Sequence, residues 1–164
     1  LGGGAVIFIT VGTQLAFDRL ISAVDAWAMD NPLEQVFAQI GPGEFRPKFC
    51  EFAKFLPPDK SNDMFRSADL IVAHAGMGSI LTALKYRKPI LVMPRKASLG
   101  EHRNEHQLAT AKWLGKKAGV FVVNDEADIA AILSSRSTLQ AGDSISEFAD
   151  IAFTNRLRSV VDAS

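Results

Sequence analysis

Ala5-Val6-Ile7-Phe8-Ile9-Thr10-Val11 is an almost unbroken apolar and β-branched run, and Gly12-Thr13 follows it directly. A strand with one wet face alternates apolar with polar residues. A run like this instead fits a strand covered on both faces, as in parallel sheets whose crossover helices lie on either side. Beyond the glycine turn, Phe17, Leu20, Ile21, Val24 and Trp27 recur at three- and four-residue spacing and predict a helix with one buried stripe. The same unit of strand, glycine turn and helix returns later. Leu70-Ile71-Val72-Ala73 leads into His74-Ala75-Gly76-Met77-Gly78-Ser79 and then into the helical positions Ile80, Leu81 and Leu84.

Pro89 ends that helix, and Ile90-Leu91-Val92-Met93 reads as another short buried strand closed by Pro94. Arg95 to Gly100 reads as a polar loop. A helix is expected from about Glu101 to Lys117, with Leu108, Ala111, Trp113 and Leu114 as its apolar positions and Gly119 as its breaker. Val120 to Val123 is a further strand. Asp125 to Leu133 and Ser144 to Val161 read as closing helices, with Asp125 and Ser144 as N-caps. Between Gln35 and Phe55, two strands are expected, interrupted by Gly41-Pro42-Gly43 and Pro47. The alternation predicts an α/β fold, a Rossmann-like doubly wound and mostly parallel sheet formed as one domain over residues 5–164. Leu1-Gly2-Gly3-Gly4 reads as a tag remnant or the stump of a longer chain and is left out of the fold argument.

Composition narrows the partners. The 18 basic and 18 acidic side chains cancel, removing the long-range field that a non-specific nucleic-acid binder needs. Cys50 is the one cysteine, so no internal disulfide framework can form. No uninterrupted apolar run approaches the roughly 20 residues of a membrane span. A cytoplasmic location is expected, with any membrane reached only through a partner.

Open α/β sheets bind ligands beyond the carboxyl ends of their strands, and three loops fall there: Thr10 to Gln14, His74 to Ser79, and Pro94 onward. The second has the composition of a phosphate cradle. Gly76 and Gly78 would admit a close-lying anion, free N–H groups at the helix start would meet its charge, and Ser79 and His74 could add donors. The alternative is that the glycines only permit a tight turn. A dinucleotide fingerprint is not complete, since Leu81 stands where the third small residue should be, and there is no Walker Lys. His102-Arg103-Asn104-Glu105-His106 spells the inverted zinc-protease pattern H-x-x-E-H, which on a helix would set two imidazoles one turn apart; solvated charges on a first helical turn are the alternative. Phe45, Phe49, Phe52 and Phe55 read as core or edge packing, Arg156 and Arg158 as solvated, and Cys50 as unactivated.

Taken in order, Ile9–Thr13, Ala68–Ile80, Lys88-Pro89-Ile90 and Asn104–Ala109 resemble the C-terminal domain of glycosyltransferase family 28, the donor half of the GT-B fold. Within it they are similar to the small catalytic subunits of two-subunit UDP-sugar transferases, which serve dolichol-linked glycan assembly and bacterial exopolysaccharide or capsule synthesis. The resemblance implies that Gly12 and Thr13 lie against the nucleotide and that His74, Gly76, Gly78 and Ser79 hold the diphosphate. It implies that Glu105, His106 and Gln107 address the sugar hydroxyls, and that the backbone at Phe55 and Leu56 reads the uracil. Relatives often carry a ribose-binding Glu on the helix after the glycine loop, where this chain has Thr82.

The implied activity is transfer of a hexose or hexosamine from a UDP-sugar to a lipid-linked or polysaccharide acceptor, with no cofactor or metal required. The acceptor base and membrane anchor would belong to a partner subunit, without which the chain is expected to be inactive. Two other functions stand beside it: a zinc metallohydrolase using His102, Glu105 and His106, and a non-catalytic nucleotide-binding regulatory subunit.

Overall fold

In the computed structural model, residues 6–102 and 106–142 are described. Strands β1 (Val6–Thr10), β2 (Gln35–Gln39), β3 (Glu51–Ala53), β4 (Leu70–His74), β5 (Ile90–Met93) and β6 (Val120–Val122) form one sheet in the order β3-β2-β1-β4-β5-β6. Every pairing is parallel. Helices α1 (Asp18–Asp30), α2 (Pro58–Ser67), α3 (Met77–Lys85), α4 (His106–Leu114) and α5 (Ile129–Ser134) cover the two faces.

The continuous apolar strands have the cause anticipated for them. Ile7 and Ile9 of β1 join Leu20, Ile21 and Val24 of α1 and Ile129 and Leu133 of α5 in one core. Phe8, between them in sequence, turns to the other face and packs with Phe65 of α2, Ile80 and Leu84 of α3 and Leu114 of α4. Phe8 meets Phe65 edge to face, with ring centroids 5.3 Å apart. All three β1 residues are fully buried, so truncating Phe8 to Ala would cost about 3–5 kcal/mol.

Both strands expected between Gln35 and Phe55 form, as β2 and β3. The irregular stretch before β3 is held by a side chain the sequence did not single out. Asp25, buried on α1, accepts hydrogen bonds from the backbone N–H groups of Lys48, Phe49 and Cys50 at 2.8–3.1 Å. Burial, followed by the neighbouring Asp25 carboxylate, pushes the Cys50 thiol up to about 12, in keeping with an unactivated cysteine. Phe45 packs on the α1 core, whereas Phe49, Phe52 and Phe55 are exposed around edge strand β3, so the expected packing role holds only for Phe45. Helix α2 was not foreseen. Its signal was Pro58 at the first turn, where a missing N–H costs nothing, and Phe65 as its buried position.

The helix expected from about Glu101 to Lys117 is described over His106–Leu114, and Glu101 and His102 are in bends rather than helix. The chain after β5 makes a single 3₁₀ turn, Ala97–Leu99, which Gly100 closes in the left-handed region at φ 71°. Glu101 is committed elsewhere. Its carboxylate takes both forks of Arg19 at 2.8 and 2.9 Å and the Lys96 N–H at 3.0 Å. Asp125 does cap the segment after β6, accepting from the Ala127 N–H at 2.9 Å. Leu1 to Gly4, Glu105, Arg156, Arg158 and the expected helix from Ser144 to Val161 lie outside the described residues.

Candidate functional site

The strand order reverses between β1 and β4: β1 continues through α1 on one face, and β4 through α3 on the other. Loops leaving these two strands part from each other, which opens a crevice at their carboxyl ends. A cavity of about 620 Å³ lies there. Gly12 and Thr13 line it from the β1 loop, His74, Gly76, Gly78 and Ser79 from the β4 loop, Thr82 from α3 and Gln107 from α4. The fold thus brings these eight candidates together. Leu56 also lines the cavity, while Phe55 is not among its lining residues. His106 of α4 is likewise not among the lining residues.

Helix α3 starts at Met77 with Gly76 in extended conformation as its N-cap, and no side chain caps it. The first N–H groups of a helix have no partner within the helix, so those of Met77, Gly78 and Ser79 are available to an anion along the helix dipole. The two glycines of this loop differ in what surrounds them. A Cβ at Gly76 would overlap the His74 ring, lying 2.7 Å from Nε2. A Cβ at Gly78 would meet nothing within 4 Å, since that position faces open space beside the cavity. Gly12, at φ +75°, holds the other side of the ring, with its Cβ position 3.1 Å from His74 Nε2.

His74 is fixed between these glycines by groups behind it. Arg95 Nη1 lies 2.9 Å from His74 Nδ1. An arginine can only donate, so Nδ1 accepts and the imidazole proton sits on Nε2. Gln107 Oε1 accepts from the Arg95 backbone N–H at 2.9 Å, which orients its amide so that Nε2 stands 3.3 Å from the same Nδ1. Burial, then the Arg95 charge and then His102, lower the His74 pKa to about 3, and the ring is neutral. Thr82 Oγ1 donates to Gly78 O at 2.7 Å, leaving its lone pairs as what it can offer a ligand. A ribose hydroxyl there would have to donate, to a neutral and shorter group than the Glu of relatives.

Sequence reasoning missed Arg95. Only 2% exposed, its guanidinium donates to the carbonyls of Val11 at 2.7 Å, Leu15 at 2.6 Å and Ala16 at 3.4 Å. It also stacks 5.1 Å from the centroid of Phe17. Burial lowers its pKa to about 10, which still leaves it charged at neutral pH. Its one sequence signal was its place directly after Pro94, at the carboxyl end of a buried strand. Gln39 was also missed. Buried at the end of β2, it lines the cavity and accepts from Thr10 Oγ1 at 3.3 Å.

The cavity's described lining holds no Asp or Glu, so its fixed charge is the positive one of Arg95. Such a wall suits an anionic ligand. The zinc pattern does not take the form it needs, because His102 is in a bend while His106 is in α4, so the two imidazoles do not share a helix. Among the described residues no group of three His, Cys, Asp or Glu is placed to hold a metal ion.

The sequence pattern of the glycosyltransferase family 28 C-terminal domain matches residues 6–151. The chain belongs to glycosyltransferase family 28. UDP-N-acetylglucosamine transferase subunit ALG13 of Homo sapiens is 33% identical over 125 residues, covering 70% of this chain and 11% of that protein. The UDP-N-acetylglucosamine–N-acetylmuramyl-(pentapeptide) pyrophosphoryl-undecaprenol N-acetylglucosamine transferase of Bacteroides fragilis is 26% identical over 86 residues, 52% of this chain and 22% of its own length. The chain therefore spans about a tenth of the human relative. The NMR solution structure of ALG13 superimposes with a TM-score of 0.63 at 17% identity, covering 98% of both chains, which establishes the common fold. The doubly wound parallel sheet expected from the sequence is the fold found.

Proposed function

We propose that this chain is the donor-binding subunit of a heteromeric glycosyltransferase that passes a hexose or hexosamine from a UDP-sugar to a lipid-linked or polysaccharide acceptor. The observation that carries the reading is the uncapped start of α3 beside the open face of Gly78, in a cavity whose described walls carry no carboxylate. Family membership and the likeness to a UDP-N-acetylglucosamine transferase subunit support it.

In this reading the diphosphate sits over Gly76 to Ser79, with the nucleoside toward Gly12, Thr13, Leu56 and Thr82. As the acceptor oxygen attacks the anomeric carbon, the bond to the diphosphate breaks and negative charge grows on the departing oxygen. In this reading the N–H groups of Met77, Gly78 and Ser79 and the Nε2–H of His74 meet that charge and need no reorganisation as it develops. These donors, backed by Arg95, supply the charge compensation, so the reading calls for no metal. Glu105, His106 and Gln107 are assigned to the sugar, as the resemblance implies. The acceptor base and membrane attachment belong to a second polypeptide, which would hold the chain at the cytoplasmic face of a membrane. No described helix is long and apolar enough to cross one.

Calorimetry with UDP and a set of UDP-sugars, on the chain alone and co-expressed with an acceptor subunit, tests the proposal. Binding of UDP by the chain and transfer only by the complex are expected. Absence of UDP binding in both preparations, or robust turnover on a lipid-linked acceptor by the chain alone, would refute it.

A further inference from the structure

Arg95 is a buried cation with no carboxylate within hydrogen-bond distance among the described residues. A group of that kind is costly to bury, and three carbonyls and one imidazole nitrogen are what it receives in return. Those partners are not scattered. Val11, Leu15 and Ala16 belong to the loop after β1, His74 ends β4, and the Arg95 backbone N–H is tied to Gln107 of α4. One residue, through its guanidinium and its backbone N–H, thereby joins the separate chain segments that wall the crevice.

The contact with the imidazole has a chemical consequence. A neutral imidazole in water populates both tautomers, and the ring can present either a donor or a lone pair to a ligand. Here Nδ1 faces two N–H donors, Arg95 Nη1 at 2.9 Å and Gln107 Nε2 at 3.3 Å, and neither can accept a proton in a hydrogen bond. The Nδ1–H tautomer would set hydrogen against hydrogen at this point. The glycines at 12 and 76 leave room for the ring, since a Cβ at either would crowd Nε2.

We propose that Arg95 is a positioning residue that acts through His74, holding the imidazole as the Nε2–H tautomer so that it meets the donor's diphosphate as a permanent hydrogen-bond donor. This rests on the donor-site reading above. The buried positive charge behind the ring polarises it in the same sense, strengthening Nε2–H as a donor without protonating the ring. Gln107 supports the same lock from the other side.

The test separates the lock from the ligand. In the ¹⁵N-labelled chain, long-range imidazole correlations at neutral pH should show His74 with a proton on Nε2, a bare Nδ1, and no titration down to about pH 5. A proton on Nδ1 would overturn the proposal. Arg95→Lys keeps the charge but cannot make the fork, and it should release His74 into mixed tautomers and weaken UDP binding by about tenfold or more. A folded Arg95→Lys chain with unchanged His74 signals, or with released His74 and parental UDP affinity, would also overturn it. If Arg95→Lys does not fold, UDP is added to the parent: the His74 Nε2–H signal must move while Nδ1 stays unprotonated, and an unmoved Nε2–H overturns the proposal. A parent with the lock present that binds no UDP refutes the donor-site reading and leaves the lock standing.

Discussion

Gly76 and Gly78 are two residues apart in one loop, yet replacing them should have opposite effects on stability. A Cβ at Gly76 overlaps the His74 ring, which is itself tied to Arg95 and Gln107, so Gly76→Ala must displace a buried network. A loss of about 2–3 kcal/mol is expected from broken hydrogen bonds around a buried charge. Gly78 lies inside α3 with nothing within 4 Å of its Cβ position. Gly78→Ala, in the first turn of the helix, should therefore gain at most the interior helix-propensity difference of about 0.5–1 kcal/mol, which for a chain of this size raises Tm by no more than roughly 1–4 °C. The same methyl group stands where the diphosphate would approach the helix start. Gly78→Ala should weaken UDP binding by about 1–3 kcal/mol, and Gly78→Val by more. Calorimetric melting and UDP titration on the three variants read out both effects. The reasoning fails if Gly78→Ala melts below the parent as Gly76→Ala does, or if Gly78→Val folds and binds UDP as tightly as the parent.

Three further outcomes follow from the buried polar groups. Gln107→Ala, by removing the acceptor of the buried Arg95 N–H, should cost about 1–3 kcal/mol in urea unfolding even without a sugar present, and an unchanged midpoint would contradict the hydrogen bonds assigned to it. His74 is held at about 3 in the folded chain against 6.5 for a free imidazole, so below 6.5 the unfolded chain takes up a proton that the folded chain refuses. Its contribution is thus fully present above pH 6.5 and is lost as pH falls toward 3, by about 2 kcal/mol at pH 5, and that part of the acid sensitivity should be missing from His74→Asn. Asp25→Ala strands the N–H groups of Lys48, Phe49 and Cys50 and should cost about 3 kcal/mol, measurable as a lower Tm.

The sheet and the location of the crevice were legible because they depend on local rules. A continuous apolar run reports burial on two faces, and a glycine turn after such a run reports a strand's carboxyl end. Arg95 was not legible for the opposite reason. Nothing in Pro94-Arg95-Lys96 says that the side chain turns inward, since its partners come from Val11, Leu15 and Ala16, some eighty positions earlier in the chain. The helix boundary at Glu101 failed in the same way: a pairing with distant Arg19 overrode a sequence compatible with helix. Asp25 looked like one polar position on an amphipathic helix until the loop before β3 was seen to close on it. Gly76 and Gly78, identical as letters, were told apart only by the position of a ring.

The central place of β1 also bears on how the chain is made. One edge of this strand meets β2 about thirty residues later, but the other waits for β4, with Val6 N–H joined to the Asp69 carboxylate across 63 positions. At translation rates of roughly 5–20 residues per second, this apolar strand stays open on that side for about 3–13 s, the time synthesis takes to pass from Thr10 to His74. An exposed, unpaired apolar edge is a template for wrong pairing. Ribosome-bound chains stalled before Leu70 should be captured by holdase chaperones and cut rapidly by protease, and those stalled well beyond Met93 should resist both; equal protection of the two lengths would show that β1 needs no β4 to be sheltered.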